Sequence, residues 1–154
     1  MSPELPEKII IELASLRNLL DKYHSLLEDV HTRIPTDVEL IALAGILHSF
    51  YTGFENIFKR IAQDLDGGFK QTSSWHADLL EEMVMATNKR PNVITEELKI
   101  RLQYYLSFRH AFRSVYSYDL NWSKMQDLVY ESTSILQHVE TELQLFIKKM
   151  LSHS

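Results

Sequence analysis

A chain of 154 residues, 45% hydrophobic and 24% charged, is long enough to bury one real core, and a single domain over residues 1–154 is expected. The absence of cysteine excludes disulfides, thiolate metal sites and cysteine nucleophiles, and the scarcity of Gly and Pro, four of each, argues against a turn-rich all-β protein. The net charge of -5 argues against broad electrostatic coating of nucleic acid, yet residues 59–113 hold nine Lys/Arg against seven Asp/Glu, while the remainder holds seven against fourteen, which leaves room for a small basic site on an acidic scaffold.

No stretch approaches the ~18 uninterrupted apolar residues of a spanning helix, and the opening MSPELPEK is acidic and proline-containing, unlike a signal peptide. A cytoplasmic location away from membranes is the expectation. In the first segment, Ser2-Pro3-Glu4 is a helix start. Ile9, Leu13, Leu16, Leu20, Tyr23, Leu27, Val30 and Ile34 then recur at alternating spacings of four and three, predicting one helix that Pro35 ends. Thr36-Asp37-Val38-Glu39 fits a capping box. The second helix carries Leu40, Leu43, Leu47, Phe50, Phe54, Ile57, Ile61 and Leu65, and Gly67-Gly68 stops it. Gly45 and Gly53 inside it predict close helix approach.

Ser73 or Ser74 is placed to cap a shorter third helix, about Trp75 to Asn88, before Lys89-Arg90-Pro91-Asn92 breaks it. Thr95 caps a fourth, whose stripe of Leu98, Leu102, Tyr105, Phe108, Phe112 and Val115 runs to about Ser117. After a turn, a last helix is lined from Met125 through Leu128, Ile135, Leu143 and Phe146 to Met150. The fold class expected is all-α, a mostly antiparallel bundle of about five helices, with seams long enough to support self-association.

Seven histidines are scattered without H-E-x-x-H or paired Glu-x-x-His spacing, so surface or interfacial histidines are the better account than metal ligands. Gly-rich phosphate loops and a nucleophile elbow are also missing, and no metal or cofactor is expected. One stretch differs. Between Tyr104 and Trp122, Arg109, His110 and Arg113 sit among aromatic residues, with Tyr105, Arg109, Phe112 and Tyr116 near one helical face. Two guanidiniums a turn apart repel unless an anion or a carboxylate lies between them. They form either a phosphodiester clamp, with tyrosines for base stacking, or internal ion pairs with Glu55, Asp64 or an acid of the last helix. Spacing alone favours the ion pairs.

Phe108-Arg109-His110-Ala111-Phe112-Arg113-Ser114-Val115-Tyr116, followed by Tyr118-Asp119-Leu120-Asn121-Trp122, resembles the signature of HepT-like proteins of the HEPN superfamily, and Leu47 to Ala62 resembles the second helix of that group. The family motif is Arg, four to six residues, then His, then x-Tyr. The resemblance implies a helical homodimer with two motifs in an interface cleft, metal-independent RNA cleavage, and pairing as a toxin with a nucleotidyltransferase of the MNT type. Arg109 takes the motif arginine, which orients the phosphate. Tyr116 takes the tyrosine, which the partner can adenylylate. The histidine position holds Ser114, which cannot carry a proton near neutrality. Either the chain keeps fold, dimer and partner without cleavage, or His110 supplies the imidazole. Arg113 is a second phosphate-binding candidate, and Glu55 is a candidate to hold Arg109 in place. A non-catalytic binding partner of a nucleotidyltransferase is the competing function, and a plain helical interaction protein is the third.

Overall fold

The computed structural model describes residues 1–114 and 119–152, with the side chains of Arg113 and Ser114 outside the description. All regular structure among the described residues is helical: α1 (Leu5–Lys22), α2 (His24–Asp29), α3 (Asp37–Leu65), α4 (Trp75–Val84), α5 (Glu96–Ser114), α6 (Trp122–Tyr130) and α7 (Ser132–Ser152). None of these helices is long and apolar enough to cross a membrane.

The bundle is built around α3, whose 29 residues run about 43 Å at 1.5 Å per residue. Its start is the expected capping box: Glu39 N–H donates to Thr36 Oγ1 at 3.2 Å, and Thr36 N–H donates to Glu39 Oε1 at 2.9 Å. Its end is also as expected, with Gly67 and Gly68 at positive φ and the Gly68 amide returning to the Ala62 carbonyl at 2.9 Å. Between these ends Phe50, Tyr51, Phe54, Ile57, Phe58 and Ile61 are buried, because α1, α4, α5 and α6 all pack on this helix. Gly53 permits the α1 contact, since a Cβ there would fall 2.8 Å from Leu16 Cγ. Gly45 has open space around it, so the close approach expected there is not found.

Two helices expected as continuous are each broken once. The first breaks at Tyr23, which leaves helical geometry (φ -106°, ψ 19°). Its buried stripe continues through Leu27 to Val30, and Ile34 is exposed. The last breaks at Glu131 between α6 and α7, while its stripe stays buried from Met125 through Phe146. In both, the apolar period survives a one-residue break, because the core selects the face and tolerates a change of axis. The third helix ends at Val84 rather than Asn88, as the chain turns back so that the Val93 and Ile94 amides reach the Met83 carbonyl.

That return is clasped by Arg90. It is 3% exposed and donates through Nε and Nη2 to the two Asp66 oxygens at 2.8 and 2.9 Å, and through Nη1 to the Met85 and Pro91 carbonyls. A second clasp fixes α4 on α5. The Lys99 ammonium lies 2.8 Å from Glu81 and 2.7 Å from Glu96, contacts that push it above its ordinary range despite burial pulling the other way. Thr95 caps α5 as expected, accepting from the Leu98 amide at 3.2 Å.

Candidate functional site

Three helices, α3, α4 and α5, meet at one charged cluster. α3 supplies Glu55, which is 2% exposed on the same face as buried Tyr51 one turn earlier. α5 supplies Arg109, whose side chain is 11% exposed, and the start of α4 supplies His76, also 11% exposed. A buried carboxylate is costly unless paired, and this one is paired twice. Glu55 Oε2 lies 2.6 Å from His76 Nδ1, and Oε1 lies 3.4 Å from Arg109 Nη1.

His76 is held in place by its neighbours in sequence and space. Ser74 and Thr72 hydroxyls donate to Asp78 at 3.0 and 3.3 Å, tying down the first turn of α4. The Trp75 ring stacks on the His76 ring with centroids 3.6 Å apart, and Phe69 lies 5.3 Å beyond Trp75. The Lys59 ammonium, one turn past Glu55 on α3, sits 4.9 Å over Trp75. His110 meets His76 edge-on at 5.5 Å and is itself exposed.

The hydrogen bonding at His76 Nδ1 is over-subscribed. Glu55 Oε2 stands 2.6 Å from that nitrogen and Arg109 Nη1 stands 3.0 Å from it. One ring nitrogen either donates or accepts. The shorter contact decides: Nδ1 carries the proton and gives it to the carboxylate, because a bare Nδ1 would set two lone pairs face to face at that distance. Arg109 is then left with the loose 3.4 Å contact to Glu55. Its Nε is buried with no partner among the described residues, and the same holds for the Tyr51 hydroxyl. A buried donor without a partner costs about 1–3 kcal/mol. The Tyr51 hydroxyl is pushed well above its usual range, first by burial and then by the Glu55 charge, with Arg109 pulling the other way. It is therefore a neutral phenol beside the cluster.

The sequence candidates divide cleanly. Glu55, Arg109 and His110 come together in space. Arg113 and Ser114 fall on the α5 backbone, their side chains outside the described residues, and Tyr116 lies outside the described residues altogether. Asp64, an alternative partner for the arginines, accepts the Ser2 amide at 3.0 Å instead. His76 was missed: counted with the scattered histidines, it is the one locked against the central carboxylate. A cleft of about 810 Å³ also opens between α5 and α6, lined by Tyr104, Phe108, Phe112, Leu120 and Lys124 among others, but Glu55, His76, Arg109 and His110 do not line it.

Comparison with known proteins gives one family. A family model described as HepT-like protein matches residues 42–150, from early α3 to near the end of α7, leaving α1 and α2 outside the match. No curated protein and no solved structure matches the chain.

Proposed function

Because the chain belongs to the HepT-like protein family, we propose that it is the toxin-like component of a two-gene module whose other member is an MNT-type nucleotidyltransferase, and that it holds RNA phosphate at Arg109. The observation that carries this reading is the state of Arg109 itself. Its guanidinium is held in place by Glu55 yet keeps a buried Nε donor unfilled, as expected of an arginine that awaits an anion. Lys59 and Trp75 beside the cluster add a cation and a ring suited to a nucleotide. The protein acts as a homodimer with this cluster facing the twofold cleft, and the partner enzyme transfers AMP from ATP to Tyr116. The location is cytoplasmic.

The test is a binding titration of single-stranded RNA with wild type and Arg109→Ala, run beside sedimentation at micromolar concentration. Tenfold or greater loss of affinity in the variant, on the order of the 1.4 kcal/mol that removing a charge-assisted contact costs, is the expected result. RNA that does not bind wild type, or binds both equally, rejects the reading, and a monomer in sedimentation rejects its dimer part. Mass spectrometry after incubation with the nucleotidyltransferase and ATP checks Tyr116 directly.

The second reading is a non-catalytic partner of the nucleotidyltransferase, favoured by Ser114 at the motif histidine position. AMP addition at Tyr116 without RNA binding is its signature.

A further inference from the structure

The imidazole missing from the motif position is available from a different helix. We propose that His76 is the catalytic imidazole of this chain, accepting the 2′-hydroxyl proton of an RNA strand whose phosphate lies on Arg109. This rests on the reading of the Arg109 cluster as an RNA-phosphate site and adds to it the residue that would perform the cleavage the family resemblance implies.

Four features of the cluster lead there. His76 Nδ1 is 2.6 Å from a carboxylate that is 2% exposed, so the ring is oriented by Glu55 and its other nitrogen, Nε2, carries the lone pair. The same ring lies 3.0 Å from Arg109 Nη1, so an anion bound to the guanidinium sits beside the imidazole. The ring is fixed by the Trp75 stack at 3.6 Å. Arg109 Nε has a donor to give. Ser114 has no proton to exchange near neutrality, and His110 is exposed at the rim of the cluster, where it meets His76 at 5.5 Å.

The step balances without a co-reactant other than water. His76 Nε2 takes the 2′-hydroxyl proton as the 2′-oxygen forms its bond to phosphorus. The bond from phosphorus to the 5′-oxygen breaks, and that oxygen leaves with the electron pair and takes a proton from water; the hydroxide so formed takes the proton from the His76 imidazolium, which restores both water and the neutral ring. Arg109 carries the charge that builds on the phosphoryl oxygens, and Glu55 carries the imidazolium. The products are a 2′,3′-cyclic phosphate end and a 5′-hydroxyl end. Glu55 is a positioning residue in this scheme, since it acts through His76 and Arg109.

The experiment compares wild type, His76→Gln and His110→Ala on end-labelled single-stranded RNA, measuring binding and cleavage in parallel and identifying the ends formed. Wild type is expected to cut, His76→Gln to lose roughly 100-fold or more of the rate with binding kept within a factor of a few, and His110→Ala to keep most of its rate. Cleavage by His76→Gln at the wild-type rate overturns the inference, as does a loss confined to His110→Ala. RNA bound through Arg109 but left uncut by wild type overturns the inference while the phosphate-site reading stands. RNA not bound at all removes both. Should His76→Gln fail to fold, nitrogen-15 spectra of the wild-type imidazoles decide the matter: a His76 ring with its proton on Nε2 and a bare Nδ1 rejects the proposal.

Discussion

Arg90 and Arg109 are both largely buried, and each faces a carboxylate from α3 or its C-cap, yet they are satisfied in opposite ways. Arg90 meets Asp66 with two parallel bonds at 2.8 and 2.9 Å and spends Nη1 on two backbone carbonyls at 2.8 and 3.0 Å. Arg109 meets Glu55 once, at 3.4 Å, shares its neighbourhood with His76, and leaves Nε empty. An arginine–carboxylate pair is therefore a finished clasp in one place and leaves a donor unfilled in the other. The clasp closes the loop after α4 onto the end of α3. The open pair lies where α3, α4 and α5 converge, with two histidines and a tryptophan around it. Burial is common to the two pairs; the unfilled donor is what separates them.

The contrast breaks first on stability. Arg90→Ala strands Asp66 and the Met85, Pro91 and Glu82 carbonyls, and a loss of about 3–5 kcal/mol is expected, read from urea unfolding midpoints. Arg109→Ala removes a loose contact and also removes an unsatisfied buried donor, so its cost is expected to be smaller, about 1–2 kcal/mol. Equal losses in the two variants would mean that Arg109 is a clasp like Arg90.

Anions sharpen the comparison next. If the empty Arg109 donor takes a phosphate, inorganic phosphate at ten times its dissociation constant raises wild-type stability by about 1.4 kcal/mol. That gain is expected to vanish in Arg109→Ala and to survive in Asp66→Asn, because Asp66 belongs to the finished clasp. Thermal unfolding at fixed ionic strength, with chloride as the reference salt, measures it. A phosphate gain retained by Arg109→Ala would place the anion elsewhere.

The two regions also differ in how far the sequence reveals them. Local signals carry the framework: the Thr36–Glu39 box, the Gly67-Gly68 stop and the Thr95 cap all act within six residues, and the apolar stripes name the core faces. The family motif points to Arg109, and the resemblance of Leu47 to Ala62 puts Glu55 near it. Neither His76 nor the role of Arg90 was legible. His76 is 21 residues from Glu55 and 33 from Arg109, so only the docking of α4 brings them together. Arg90 sat in a run, Lys-Arg-Pro-Asn, that reads as a solvated break, and its burial follows from a carboxylate 24 residues away. The helix breaks at Tyr23 and Glu131 leave no mark in the sequence, because neither carries Pro or Gly, and the hydrophobic period runs through both.

A third arginine–carboxylate pair, facing solvent, completes the comparison and gives the smallest effect. Arg33 donates to both Glu39 oxygens at 2.7 and 2.8 Å, a geometry like that of Arg90, but outside the core. The Arg33 hydrogen bond, then the Thr36 amide, hold the Glu39 carboxyl down from its ordinary 4.5 to about 2. A carboxyl depressed on folding adds stability above its unfolded value and loses it as pH falls through its folded value. The stability gap between wild type and Arg33→Ala is therefore expected to be flat above about pH 5 and to narrow between about pH 4.5 and 2. It is also expected to shrink with added salt, because exposed charges are screened, whereas the loss in Arg90→Ala should persist in salt because that pair lies in the core. Urea midpoints of both variants against pH and sodium chloride test this. A gap that ignores pH would assign the Glu39 shift to the Thr36 amide alone, and equal salt responses would mean that bidentate geometry, rather than burial, fixes what such a pair contributes.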